Sequence, residues 1–321
     1  MRVFLTGATG FIGGDVARLL RERGDEVRAL VRTPAKAEDL RALGCELVEG
    51  DLSDESALRS ALRGCDALIH CAAVYEIGVL ESDRERLVDA NTRGTERVLG
   101  AALAAGVSKA VYVSTVAVFG DTRGEVATEE WVRPEGQGFT SAYEQTKVEA
   151  HERACQIGAQ GLPLVVVQPG VVYGPGDHSE VGGLFERLLK GRLPLAPFPE
   201  MGVTPVHRDD VSAGILLALD KGIAGEAYVL AGEPTTMGEV LSTLARVAGK
   251  RAPFGALPAV LVQAMVPVGR FVGPVLGFPP NLRELLTSSH HVTFWASSDK
   301  AQRELGWTHR PLDEGLRTVL V

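Results

Sequence analysis

Six apolar runs of strand length punctuate the first half of the chain, at residues 2–6, 26–31, 46–49, 67–70, 110–114 and 164–168. They are rich in Val, Ile and Leu and lack a clean in/out alternation, which is the pattern of strands buried on both faces. Helical periodicity fills the spaces between them, over 11–23, 35–42, 54–62, 83–105 and 142–158. Gly24, Gly44, Gly64 and Gly106 close four of these stretches, where a residue without a Cβ lets the chain leave a helix in a left-handed conformation. Strand, helix, strand with short links predicts an α/β fold built on a doubly wound parallel sheet.

Beyond Pro169 the regularity weakens. Gly174-Pro175-Gly176 and the segment 193–205, with prolines at 194, 197, 199 and 205, predict loops. A helix is expected over 208–221, a strand over 227–230, a helix over 237–249, and one or two helices in the proline-punctuated apolar stretch 257–277. The expected organisation is a first domain over 1–168 and a smaller, partly helical region over 169–321 that forms the substrate pocket. Within the latter, 206–231 returns to the main sheet.

The link between the first strand and first helix reads Thr6-Gly7-Ala8-Thr9-Gly10-Phe11-Ile12-Gly13. Glycine is needed where such a turn is tight, where backbone meets a pyrophosphate, and where helix packs on strand. The free N–H groups of the helix N-terminus then face the phosphates. The first domain is thus expected to be a dinucleotide-binding, Rossmann-type unit. Nicotinamide-binding chains that use NAD carry Asp or Glu at the end of the second strand, for the ribose 2′-hydroxyl. Here that position reads Val31-Arg32-Thr33, with Lys36 following. A guanidinium suits a 2′-phosphate, so NADP(H) is the expected cofactor.

Tyr143 and Lys147 stand four residues apart at the start of a predicted helix, on one face and about 6 Å apart along its axis. A tyrosine titrates near about 10, and the adjacent ammonium is expected to lower that value by stabilising the phenolate. Val111-Tyr112-Val113-Ser114-Thr115 ends a buried strand at its carboxyl edge, where open α/β sheets bind ligands. Either Ser114 or Thr115 is placed to hydrogen-bond a reacting carbonyl.

Composition narrows the partners. A net charge of −8 over 321 residues argues against nucleic acid, whose phosphates require concentrated Lys and Arg. Cys45, Cys65, Cys71 and Cys155 form no CxxC pair and have no His cluster at zinc spacing. Free thiols, buried at the first three, and no metal site are expected. The apolar stretch 257–280 is broken by Pro258, Pro267, Arg270 and Pro274, short of the roughly 20 apolar residues a spanning helix needs. The first residues run straight into a strand, with no room for a signal peptide. A cytoplasmic protein with no membrane partner is expected.

Further motifs follow in order: Gly50-Asp51-Leu52, His70-Cys71-Ala72-Ala73, Asn91-Thr92-Arg93-Gly94-Thr95, Pro169-Gly170-Val171-Val172-Tyr173-Gly174-Pro175 and Val206-His207-Arg208-Asp209-Asp210-Val211. With the glycine loop, Ser114-Thr115 and the Tyr143 to Lys147 pair, this set resembles the extended short-chain dehydrogenases/reductases over nearly the whole chain. The branches it is similar to are the dihydroflavonol reductases, 3β-hydroxysteroid dehydrogenases and sugar epimerases. The resemblance implies that Thr6, Gly7, Thr9, Gly10, Phe11 and Ile12 hold the cofactor, with Ser114, Pro169 and Val172 beside it. It also implies that Asp51 and Leu52 flank the adenine and that Ala72 and Ala73 line the cofactor's path. Thr115 takes the place of the family's catalytic Ser or Thr. Tyr143 becomes the general acid/base, and Lys147 the residue that holds ribose and tunes the tyrosine. Asn91 lies in the helix beneath the site.

The activity implied is hydride transfer between NADP(H) and a small aldehyde or ketone and its alcohol. Tyr75, Phe139, Tyr173, Phe185, Phe198, Met201 and Met265 are candidate apolar lining. A nucleotide-sugar epimerase or dehydratase is the alternative enzyme, and a non-catalytic NADP sensor the alternative without chemistry. Against the former stands Gln168, where the sugar-nucleotide branches often carry Arg. A homodimer through 83–105 and 142–158 is expected by analogy with the family.

Overall fold

A computed structural model describes residues 1–320 of the chain. Seven parallel strands form one sheet. Their order across it is Glu46–Glu49, Glu26–Val31, Arg2–Thr6, Ala67–His70, Lys109–Val113, Leu164–Pro169 and Ala227–Leu230. The chain order therefore reverses between Arg2–Thr6 and Ala67–His70, and the crevice at such a switch point is where open α/β sheets take ligands.

Successive residues of the inner strands alternate between two cores. Val3, Leu5, Val111, Val113, Val165 and Val167 point to one side. Phe4, Ala110, Tyr112, Leu164 and Val166 point to the other. Both sides are roofed by helices, so neither could be polar, which is why the runs show no alternation. The helix Phe11–Glu22 buries Val16, Ala17 and Leu20 in the first core, together with Ile215 and Leu219 of the helix Arg208–Lys221. Each such Val, Leu or Ile stabilises the fold by about 1.5–3 kcal/mol. Helices Glu55–Leu62, Gly94–Ala105 and Ala142–Ala159 cover the opposite core.

The segment 206–231 contributes the helix Arg208–Lys221 and the strand Ala227–Leu230, which pairs in parallel with Leu164–Pro169. The remaining C-terminal part builds its own core, in which Phe185 and Leu188 meet Val203, Met237, Leu241 and Leu316. Its helix Met237–Val247 starts in a capping box between Thr236 and Glu239, which satisfies two free donors reciprocally.

Two elements differ from expectation. The stretch 83–105 is interrupted by a π-helical turn, Val88–Arg93, whose consequence for Asn91 is given below. The stretch 35–42 is a 3₁₀ turn, Pro34–Lys36, followed by the short helix Glu38–Ala42. The apolar stretch 257–277, expected as one or two helices, forms two, Ala259–Met265 and Gly269–Leu276, on either side of a 3₁₀ turn that contains Pro267, whose missing N–H favours a break there. Cys45 is buried and Cys65 and Cys71 are partly so, all as free thiols, while Cys155 is exposed. Among the described residues no helix is long and apolar enough to cross a membrane.

Candidate active site

The glycine loop closes on itself and on the next strand. A Cβ at Gly13 would lie 2.1 Å from the Gly7 carbonyl oxygen, and one at Gly7 would lie 2.7 Å from the Ala72 nitrogen. Gly7 also holds φ +76°, which side chains rarely adopt. The Gly10 N–H donates to the Gly7 carbonyl at 2.9 Å. Gly10 is the N-cap of the helix Phe11–Glu22 and has no side chain to occupy its first donors. The result is a cradle of backbone N–H groups at a helix N-terminus, a fit for a dinucleotide's pyrophosphate. Arg208 brings a guanidinium beside the loop, 5.3 Å over the Phe11 ring, and donates to the Pro175 carbonyl at 2.9 Å.

A cleft of about 1360 Å³ runs from this loop to the start of the helix Ala142–Ala159. Gly7, Thr9, Gly10, Phe11 and Ile12 line it at one end. Ala73, Ser114, Pro169 and Val172 line it too, as do Thr115, Tyr143 and Lys147, with the Thr115 hydroxyl and the Lys147 ammonium both acting on the Tyr143 phenol. The structure thus brings together twelve of the eighteen residues singled out in the sequence. Thr6 lies beneath the loop instead. It is fully buried and its hydroxyl is 2.6 Å from His70 Nδ1. Ala72 meets the underside of Gly7 with its backbone. Leu52 packs into the core beside Gly94. Asp51 is exposed, accepts from the N–H and hydroxyl of Ser53 at 2.7 and 2.5 Å, and is held below the usual carboxylate range by those bonds. Arg32 and Lys36 are exposed past the end of the second strand, and neither is ion-paired among the described residues.

The reacting end rests on the N-terminus of the helix Ala142–Ala159. The Ser141 hydroxyl accepts from the Glu144 N–H at 3.0 Å. Glu284, distant in sequence, accepts from the N–H of Ala142 at 3.1 Å and of Gly78 at 3.2 Å. Lys147 is buried, and its ammonium donates to the Tyr112 hydroxyl and the Val113 carbonyl, both at 3.2 Å. Burial lowers the lysine pKa, while Tyr143 and Cys71 act to raise it. The Tyr143 phenol is pushed above its ordinary value by burial; Lys147 and the hydroxyl of Thr115 pull it down without reversing the shift. The expectation of a net lowered tyrosine is corrected on this point. The same burial that makes the site apolar disfavours the phenolate more than the one buried ammonium restores it.

Two hydroxyls compete for the carbonyl-binding place. The Ser114 Oγ lies 3.1 Å from His151 Nδ1, and burial followed by the charge of Lys147 drives His151 down to about 4. Thr115 caps the 3₁₀ turn Val116–Phe119 by accepting from the Ala117 N–H at 3.2 Å, so its proton is free to be donated into the cleft. His70 is driven down to about 3, chiefly by burial, and its ring is spanned by Thr6 and, at 3.1 Å, Thr95. Burial pushes the Cys71 thiol up to about 12, so it is not a nucleophile at neutral pH.

Asn91 lies on the π turn, where a wider turn shifts the helix register. Its Oδ1 accepts from the Val74 N–H at 2.7 Å, and its Nδ2 donates to the Val74 carbonyl at 2.9 Å and the Thr146 hydroxyl at 3.0 Å. It ties the loop after the fourth strand to the helix that carries Tyr143 and Lys147.

Of the expected lining residues, Tyr75, Phe198 and Met201 face the cleft. Tyr75 meets the Tyr143 ring edge-on, with centroids 4.8 Å apart. The other four do not line it. Tyr173 and Phe185 belong to the C-terminal core, Phe139 lies under the Arg133 guanidinium, and Met265 packs with Leu282 and Leu285. Ile77, Phe278 and Phe294 take their place, residues that only tertiary contact brings together. Among the described residues one set of metal-capable side chains converges within 4.8 Å, Glu200, His290 and His291. His290 and His291 are adjacent, but Glu200 stands 90 positions before His290 in the chain, so no spacing motif signals the set.

The model of the NAD dependent epimerase/dehydratase family matches residues 3–231. The chain is 32% identical to a Synechocystis protein named as a candidate dihydroflavonol 4-reductase, over 98% of this chain and 92% of that protein. It is 31% identical to the 4-hydroxy-2-methyl-3-oxo-4-farnesyl-3,4-dihydroquinoline-1-oxide ketoreductase of Stigmatella aurantiaca, over 97% of this chain and 92% of that protein. The crystal structure of gox2253 superimposes with a TM-score of 0.84 at 34% identity, covering 99% of this chain and 96% of that one.

Proposed function

The chain belongs to the NAD-dependent epimerase/dehydratase family of extended short-chain dehydrogenases/reductases, and from that premise we propose that it is an NADP(H)-dependent oxidoreductase interconverting an apolar ketone or aldehyde with its alcohol. The observation that carries this reading is the meeting of Thr115, Tyr143 and Lys147 on one wall of a cleft whose other end is the glycine cradle. The cofactor's phosphates fit the N–H groups of the cradle, its 2′-phosphate the unpaired cations Arg32 and Lys36, and its ribose the Tyr143–Lys147 end. When bound, it supplies hydride to the carbonyl carbon or removes it from the alcohol.

Thr115 donates a hydrogen bond to the substrate oxygen and fixes its position. Tyr143 delivers its proton to that oxygen as negative charge develops, and recovers it in the reverse direction. Lys147, anchored on Tyr112 and Val113, keeps a positive charge beside the phenol so that the tyrosine can give up its proton. Tyr75, Ile77, Phe198, Met201, Phe278 and Phe294 exclude water from the reacting end and suit an aromatic or aliphatic substrate. The reductase named from Stigmatella acts on a farnesyl-bearing ring ketone by its name, which supports an apolar substrate here. The free thiols suit a reducing compartment, so the reading places the protein in the cytoplasm.

The test is consumption of NADPH, with NADH in parallel, over a panel of ketones and aldehydes of rising apolar length. Turnover is expected with NADPH and to favour the longer apolar members. Cofactor that stays bound and is never consumed would replace this reading by that of an epimerase. Arg32→Asp should shift the preference from NADPH toward NADH by at least about tenfold. An unchanged preference would remove Arg32 as the reader of the 2′-phosphate.

A further inference from the structure

Half of the large apolar side chains that reach solvent are concentrated in one short stretch. Of fourteen among the described residues, seven fall within 254–276. Phe254 and Val275 are 83% exposed, and Phe271 is 75% exposed. Exposed apolar clusters of this kind mark interaction surfaces rather than ordinary solvated faces.

The charge around this stretch is equally one-sided. From Val240 to Arg283 the sequence holds Arg246, Lys250, Arg251, Arg270 and Arg283 and no Asp or Glu, in a chain whose net charge is −8. All five cations are exposed, and none is ion-paired among the described residues. Apolar side chains on short helices, flanked by unpaired Lys and Arg, form the chemistry that settles into the headgroup region of a bilayer. Anionic lipid attracts such cations.

The position is also informative. Gly277, Phe278 and Pro279 directly follow the helix Gly269–Leu276 and line the cleft. The exposed patch therefore adjoins the cleft in the chain and in space.

We infer that residues 254–276, with their flanking cations, dock this protein onto an anionic membrane surface and set its cleft against the lipid phase. The expected absence of a membrane partner rested on the lack of a spanning segment, and a helix lying in the interface needs no span. A second copy of the chain is the poorer occupant. A two-fold interface would place this patch against itself and bring Arg270 and the adjoining Lys250 and Arg251 toward the same cations of the other copy.

The test is co-sedimentation of the full-length protein with vesicles of phosphatidylcholine alone or mixed with phosphatidylglycerol. Binding is expected to the mixed vesicles, to exceed that to pure phosphatidylcholine by at least about tenfold, and to weaken as salt screens the charges. Phe271→Asp/Val275→Asp and Lys250→Glu/Arg251→Glu should each reduce it by at least about tenfold, while turnover of a water-soluble ketone is retained. Hydrogen exchange on the unaltered protein should show vesicle-dependent protection confined to this region, which needs no variant to fold. The inference is overturned by absence of binding to either vesicle, by full binding of the aspartate variant, or by a solution dimer that the same variant dissolves. Vesicle binding is read without turnover, so its failure leaves the proposed reaction standing.

Discussion

At the scale of the residue, Tyr143 sits between two opposing influences. Burial raises its pKa, and Lys147 and Thr115 lower it by less. Reduction needs the protonated phenol and oxidation the phenolate. With the phenol held above its ordinary value of about 10, kcat/KM for reduction should not fall through this group across the neutral range. It should fall only as pH rises past the ordinary tyrosine value, while oxidation rises over the same interval. Lys147→Met removes the stabilising ammonium and should move both limbs to still higher pH, with oxidation at neutral pH losing at least about tenfold. A pH–rate profile in each direction reads this, and limbs that stay in place would separate Lys147 from the tyrosine. The chemical identity of the pair is legible in the sequence, because two residues four apart on one helix meet whatever surrounds them. The direction of the shift is not, because it comes from burial, with Tyr112 adding to it, and both depend on side chains that reach the site from other elements.

At the scale of the element, the helix Ala142–Ala159 is useful only if it is held in place, and its supports come from far away. Glu284 receives its first N–H, and Asn91 ties Thr146 to Val74. Asn91→Ala leaves the Val74 N–H and carbonyl without these partners and should cost about 1–3 kcal/mol of stability, measurable as a lowered urea midpoint. The Asn91 sequence motif is readable, but its π turn is not, since the apolar periodicity of 83–105 continues through it. The glycine loop is the opposite case, because its requirement is local. Gly13→Ala places a methyl 2.1 Å from the Gly7 carbonyl, so the loop must open, at a cost of about 1–3 kcal/mol. NADPH affinity, read by fluorescence titration, should drop by at least about tenfold. Retained affinity would show that the loop can open without disturbing the cradle. The strands of the first half were legible for the same local reason. The helices Leu282–Ser289 and Asp299–Leu305 were not, being short and fixed mainly by what they pack against.

At the scale of the whole molecule, the parallel sheet delivers the glycine cradle and the Thr115 strand end to one crevice, and the C-terminal part closes it with apolar side chains. The cofactor end could be read from sequence because it belongs to one strand–loop–helix unit. The substrate wall could not, as Tyr173 and Phe185 show by turning into a separate core while Ile77, Phe278 and Phe294 face the cleft. The central claim joins the two ends: a tyrosine in the cleft passes a proton as hydride moves. Its most direct test is NADPH consumption by Tyr143→Phe, with the best ketone of the panel and NADPH affinity measured on the same preparation. The account predicts a kcat lower by about 10²–10⁴-fold with NADPH binding preserved. Turnover equal to that of the unaltered protein would contradict it.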